Sequence, residues 1–163
     1  MLSKKVQDAL NEQLNAELYS SYLYLAMSAH FEAANLRGFA HWMRVQAKEE
    51  QGHAMKLYGH IVDRRGRVTL KRVDAPPAEW VSPVAAFEDT LAHEKKVTGL
   101  INDLLKLANN QKDTATAAFL QWFVTEQVDE EANADEIVQK LRLVGDSTSA
   151  LFMLDSVLGQ RKE

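Results

Sequence analysis

Apolar residues recur every three to four positions through four long stretches of the chain, roughly residues 4–33, 36–64, 83–109 and 114–143, and again in a short one near 147–158. That spacing predicts amphipathic helices, each turning one stripe toward a core. Polar punctuation separates them: Ala34-Asn35 and Arg37-Gly38, then Asn109-Asn110-Gln111-Lys112-Asp113, then Gly145-Asp146-Ser147. Joints this short make consecutive helices antiparallel neighbours. Between the second and third stretches lie about 18 residues holding Arg65-Gly66, Pro76-Pro77 and Ser82-Pro83, too interrupted by proline for a helix and too long for a tight turn. A helix of about 28 residues is about 42 Å long, and about 18 extended residues reach roughly 60 Å, so this connection can run the length of a bundle. The pattern predicts an all-α, up-down-down-up four-helix bundle with one long crossover and a short fifth C-terminal helix, in a single domain spanning 1–163. Within the crossover, Val68-Thr69-Leu70-Lys71-Arg72-Val73 alternates like a strand but has no partner in the chain. It reads as extended crossover, available for pairing across a subunit interface.

Placed on a helical wheel, each long stretch carries an acid inside its apolar stripe. Glu17 sits among Val6, Leu10, Leu14, Tyr24 and Phe31, and Glu50 among Leu36, Phe39, Met43, Ala54, Leu57 and Ile61, with His53 one turn along. Glu94 is surrounded by Phe87, Leu91, Val97, Ile101 and Leu105; Gln127 and Glu130 by Leu120, Phe123, Val124, Ala134, Val138 and Leu141. One such acid would ordinarily snorkel to water. Four converging at one depth, with the basic residues off these stripes, would disrupt the core unless cations cancelled them. Their four charges match two divalent metals, with neutral His53 and Gln127 as dipolar additions. Glu50-x-x-His53 projects both side chains from one helix face, and oxygen with imidazole suits Fe(II) better than a thiolate-preferring ion.

Composition narrows the chemistry further. Cysteine is absent, which removes disulfides, thiolate metal sites and cysteine nucleophiles and fits a reducing compartment, with the cytoplasm as the expected location. The N-terminus turns polar at once and no apolar run approaches the roughly 18 residues of a membrane span. A net charge of -4, with no basic block beyond Asp63-Arg64-Arg65-Gly66-Arg67 and Lys71-Arg72, lacks the footprint of a nucleic-acid binder. The arginine run reads as a solvated helix end favoured by the C-terminal dipole.

Four stretches together resemble the non-haem ferritins of bacterial and archaeal type, over essentially the whole chain: Asn11 to Tyr24, Glu49-Glu50-Gln51-Gly52-His53-Ala54, Phe87 to Glu94, and Phe119 to Glu131. The resemblance implies a ferritin-like bundle that stores iron. It makes Glu17, Glu50 and His53 ligands of a first iron and Glu50, Glu94 and Glu130 ligands of a second, with Glu50 bridging. It places Gln127 in hydrogen-bonding contact with the site and Tyr24 close enough to donate a hydrogen bond or an electron. Glu49, Glu126 and Asp129 correspond to a third, adjacent iron site, where relatives commonly carry Glu in place of Asp129. Bacterioferritins are similar but carry a second Glu-x-x-His and a haem-ligating methionine where this chain has Gln127-Val128-Asp129-Glu130 and Gln51, so no haem is expected. Rubrerythrins add a four-cysteine domain that a cysteine-free chain cannot form.

The implied activity is that of a ferroxidase, oxidising Fe(II) to Fe(III) with dioxygen or hydrogen peroxide and depositing mineral inside a shell of 24 identical subunits, with neither nucleic acid nor membrane as partner. Leu151, Phe152, Leu154, Val157 and Leu158 make the fifth helix apolar enough for burial between subunits. His30, His41, His60 and His93 have no ligand-spaced partner on an inward stripe and are expected at the surface or behind the site. Trp42 and Trp122 are expected to pack near it, and Met27, Met43, Met55 and Met153 to fill core or interface.

Overall fold

The computed structural model of the chain describes residues 1–163. Five helices follow one another: α1, Lys4–Ala33; α2, Arg37–Asp63; α3, Pro83–Asn110; α4, Thr114–Val144; and α5, Thr148–Leu158. Four of them start where a side chain satisfies a backbone N–H that the first turn leaves free. The Oγ atoms of Ser3, Ser82 and Ser147 accept from the N–H of Val6, Ala85 and Ala150, and Asp113 Oδ1 accepts from Thr116. The first three long helices stop alike. Asn35, Arg65 and Lys112 turn left-handed, with φ of 59°, 57° and 57°. The N–H of the following residue then reaches back to the carbonyl of Phe31, Ile61 or Ala108.

The direction of each helix can be read from the core, which falls into two apolar clusters. One gathers Tyr24, Met27 and Phe31 of α1, Phe39 and Met43 of α2, Phe87 of α3, and Ile137, Val138 and Leu141 of α4, closed off by Leu154 and Leu158 of α5. The other gathers Val6, Leu10 and Leu14, then Ala54, Leu57 and Ile61, then Val97, Ile101 and Leu104, then Leu120 and Phe123. Thus α1 and α4 run from the second cluster to the first, while α2 and α3 run the other way. This is the up-down-down-up arrangement, and residues 64–82 must travel from one end of the bundle to the other. The expected stripe is corrected in detail: Leu91, Leu105 and Val124 are only half-buried, while Leu104 and Ile137 are core residues.

The crossover forms no strand. Its backbone is pinned to α1 by amide side chains: Asn11 Nδ2 donates to Arg67 O at 3.0 Å, Thr69 N–H donates to Asn11 Oδ1 at 2.8 Å, and Arg67 N–H donates to Gln7 Oε1 at 2.9 Å. Buried Asn11 thus replaces one rung of a ladder. Arg64, expected in a solvated basic end, is instead held by Asp113 Oδ1 at 2.8 Å and Thr116 Oγ1 at 3.0 Å, which ties the end of α2 to the start of α4. No helix is long and apolar enough to cross a membrane.

Helix α2 has no capping side chain of its own, since Leu36 stands at its N-cap. The fifth helix supplies one: Asp155 Oδ1 accepts from Phe39 N–H at 3.0 Å. The approach depends on Gly38, where a β-carbon would sit 1.6 Å from the Asp155 carbonyl oxygen. Replacing Gly38 with Ala should therefore push α5 off α2, at about 1–3 kcal/mol of stability as for other overpacked sites. Denaturant unfolding of Gly38→Ala against the parent chain measures this, and an unchanged midpoint would contradict the close packing.

Candidate metal centre

Between the two apolar clusters lies a polar layer to which every long helix contributes at mid-length. Glu17, Glu50, His53, Glu94, Gln127 and Glu130 are all buried, none more than 4% exposed. Two sets of possible ligands lie with their atoms within 4.8 Å of one another, Glu17 with Glu50 and His53, and Glu50 with Glu94 and Glu130. Glu50 belongs to both. His53 Nδ1 is 3.0 Å from Glu50 Oε2 and 4.0 Å from Glu17 Oε2. No lysine or arginine reaches any of these four carboxylates, and Glu17 Oε2 is buried with no hydrogen-bond partner at all. Such an oxygen is costly to bury unless something electropositive meets it.

Neutral donors hold the other carboxylate oxygens. Gln13 Nε2 donates to Glu17 Oε1 at 2.8 Å. Gln46 Nε2 donates to Glu50 Oε1 at 2.9 Å and to Glu130 Oε2 at 2.8 Å. Gln127 Nε2 donates to Glu94 Oε2 at 3.1 Å, and the Tyr24 hydroxyl donates to Glu94 Oε1. Trp122, 39% exposed, sets its ring edgewise to His53 with centroids 5.3 Å apart, and Phe123 closes the layer from below. Trp42 lies farther off, under the Arg161 guanidinium and edgewise to Phe87.

The residues expected at a third position divide. Glu126 lies 3.9 Å from His53 Nε2 and forms a further possible ligand set with His53 and Glu130. Asp129 faces solvent, outside any such set. Glu49 is half-buried and its carboxylate is taken by Arg161 at 2.7 Å. Of the other histidines, His93 is the nearest, accepting or donating at Ser20 Oγ at 2.7 Å and edging against the Tyr24 ring. His60 stacks on Phe119, His30 meets Phe31 and Trp80, and His41 bonds the Arg161 carbonyl. None of these four reaches the clustered carboxylates.

Sequence reasoning passes over Gln13, Gln46 and Arg161. A signal for the two glutamines exists, because each stands four residues before a buried glutamate and so on the same helix face. Arg161, beyond the end of α5, carries none.

Burial governs the electrostatics. It pushes the Glu17 and Glu50 carboxyls well above the usual carboxylate range, with the Glu50 charge next in importance for Glu17 and the Glu94 charge for Glu50. Burial likewise raises Glu94, and it lifts Glu130 to about 8 with help from the Glu94 charge. With Glu130 at about 8, the metal-free site keeps a proton at neutral pH that a bound divalent ion would displace. Raised folded-state values mean that the metal-free protein binds more protons folded than unfolded, so stability from this site falls as pH rises from the ordinary carboxylate range toward 8. Divalent-ion binding should release protons and tighten over the same interval. Titration calorimetry with Zn(II) at pH 7, in buffers of different ionisation enthalpy, is expected to show net proton release; none would contradict a protonated resting cluster.

Residues 7–144 match the Ferritin-like domain family. The chain is 45% identical to the bacterial non-heme ferritin of Bacteroides fragilis strain 638R over 161 residues, 99% of this chain and 100% of that one. It is 38% identical to the bacterial non-heme ferritin of Staphylococcus aureus strain MRSA252, covering 99% and 97% of the two chains. Among solved structures, an open pore ferritin from the hyperthermophilic archaeon Archaeoglobus fulgidus superimposes with a TM-score of 0.99 at 51% identity, covering 99% of this chain and 100% of that one. With a bundle of the same topology and a buried, cation-free cluster of acids on its four long helices, the chain belongs to the ferritin family.

Proposed function

We propose that this protein stores iron, and that its subunit is a ferroxidase that oxidises Fe(II) with dioxygen at Glu17, Glu50, His53, Glu94 and Glu130. The observation that carries the reading is the convergence of four buried carboxylates with one imidazole and no cationic side chain. Two Fe(II) ions bring four positive charges to four negative ones, so the loaded site is near neutral. Glu17 and His53 serve the first ion, Glu94 and Glu130 the second, and Glu50 both. Each Fe(II) loses one electron; dioxygen takes up two electrons and two protons and leaves as hydrogen peroxide. Oxidation adds two positive charges that the carboxylates do not balance, which favours uptake of hydroxide and departure of the ferric product. Hydrolysis of Fe(III) then releases protons, so mineral deposition slows in acid.

The surrounding residues have matching roles. Tyr24 keeps a hydroxyl proton on Glu94 and lies close enough to supply an electron, and Gln127 anchors the other Glu94 oxygen to α4. The grouping of Glu126 with His53 and Glu130 supports a third cation position beside the pair. Asp129 and Glu49 stand outside it in this arrangement of side chains. The mineral would form inside a hollow shell of 24 copies, with the exposed Phe152, Met153 and Val157 of α5 packed between subunits. We place the protein in the cytoplasm, in keeping with its cysteine-free sequence, and read residues 1–163 as one domain.

A di-iron oxygenase acting on an organic substrate would need a chamber beside the metals. The surface grooves between α1 and α3, between α2 and α4, and between α1 and α2 are lined by none of the clustered acids. Replacing Glu50 and His53 together with Ala should leave a closed particle visible by electron microscopy while abolishing fast oxygen-dependent Fe(II) oxidation, by roughly a hundredfold or more as expected for loss of ligands and their support. An unchanged initial rate in stopped-flow absorbance would refute the assignment.

A further inference from the structure

The chain beyond α5 folds back along α2 and reaches the metal layer through a single intermediary. Arg161 lies with its guanidinium over the Trp42 ring, 4.2 Å from the centroid. Its Nη1 donates to the Trp42 carbonyl at 3.2 Å, and its Nη2 donates both to Glu49 Oε2 at 2.7 Å and to Gln46 Oε1 at 2.9 Å. The tail is held further by His41 Nε2 at the Arg161 carbonyl at 2.7 Å and by Lys48 Nζ at Glu163 at 2.6 Å.

Gln46 is fully committed as a result. Its carbonyl oxygen accepts from Arg161, and its amide nitrogen donates to Glu50 Oε1 and Glu130 Oε2, so both of its N–H bonds point at carboxylates. Turned over, the amide would set its nitrogen against a permanently charged guanidinium, and its oxygen against two carboxylates whenever these are ionised. The planar, permanently charged fork of arginine thus imposes one orientation on Gln46, which in turn occupies one oxygen of each of two carboxylates. Glu50 and Glu130 are the two residues of the second ligand set to which Gln46 donates.

We propose that Arg161 and Gln46 form a positioning relay, in which the C-terminal tail fixes the amide that orients Glu50 and Glu130 for the second metal position. This inference rests on the two-metal reading above. It predicts that groups outside the ligand set tune the two positions unequally, because Gln46 touches Glu50 and Glu130 but neither Glu17 nor His53. It also gives the extreme C-terminus a role in metal binding that its distance along the chain from any ligand conceals.

The test uses Co(II), whose visible absorption reports its coordination, titrated into the assembled full-length apoprotein. Gln46→Leu leaves the tail untouched, and Arg161→Met keeps the stem over Trp42 while removing the donors. Each is expected to weaken the Co(II) position ligated by Glu50, Glu94 and Glu130, which has no imidazole ligand, roughly tenfold or more, the usual scale for loss of a ligand's hydrogen-bond partner, and to alter its spectrum. The double variant should be no weaker than Gln46→Leu alone, because both changes act through one amide. A purely structural tail would instead lower the thermal midpoint while leaving the Co(II) affinities and spectra as in the parent. Parent-like Co(II) titration in either single variant, or additive losses in the double variant, would overturn the relay. If Arg161→Met fails to assemble, the Gln46→Leu titration decides alone. Failure of the parent chain to bind two Co(II) ions per subunit would count against the two-metal reading itself, a result separate from either.

Discussion

Glu50 lies within ligand distance of Glu17 on one side and of Glu94 and Glu130 on the other, all four out of water, with no lysine or arginine among them. The uncompensated penalty for even one such charge is several kcal/mol, comparable with a large share of the roughly 5–15 kcal/mol net stability of a domain. The metal-free chain lessens it with protons, as the value of about 8 for Glu130 indicates, and with the amides of Gln13, Gln46 and Gln127. Neither device supplies a partner for Glu17 Oε2. A pair of divalent cations, as proposed, would supply one.

Much of the architecture serves to bring those four positions to one level. The two apolar clusters lie above and below the polar layer, so each helix must place its acid between two separate sets of core side chains. A shift of α1 by one turn would move Glu17 into the aliphatic packing of Leu10 and Leu14 or against Tyr24. The long crossover permits α2 and α3 to run the same way, and Asn11 and Gln7 fix its path over α1. At the opposite end α5 caps α2 through Asp155, and the tail beyond it passes through Arg161 to Gln46. The surface and the site are thereby joined by hydrogen bonds of fixed polarity rather than by packing alone.

How much of this is visible in the sequence depends on whether the signal is local. Helix limits follow from periodicity and from the capping residues Ser3, Ser82, Asp113 and Ser147, each next to the helix that it caps. The stripe acids are equally plain, because period and polarity conflict at Glu17, Glu50, Glu94 and Glu130. Contacts set by tertiary placement leave no such trace. Nothing around Phe39 announces that Asp155 caps α2, and nothing around Glu49 announces that Arg161 takes its carboxylate. The exchange of Leu105 for Leu104 as a core residue has another cause: the two lie about 100° apart at the edges of a stripe at least that wide, so the period alone does not decide which is buried deeper. Arg64, read as solvated from its charged neighbours, finds Asp113 only because the short joint brings the start of α4 beside the end of α2.

The central claim is that the buried acids exist to hold a pair of metal ions. Crystals of the apoprotein soaked anaerobically with Fe(II) and measured across the iron absorption edge test it most directly. The account predicts two anomalous peaks in each subunit, one between Glu17 and His53 and one between Glu94 and Glu130, with Glu50 touching both. A layer without paired peaks, its carboxylates still packed against one another, would contradict it.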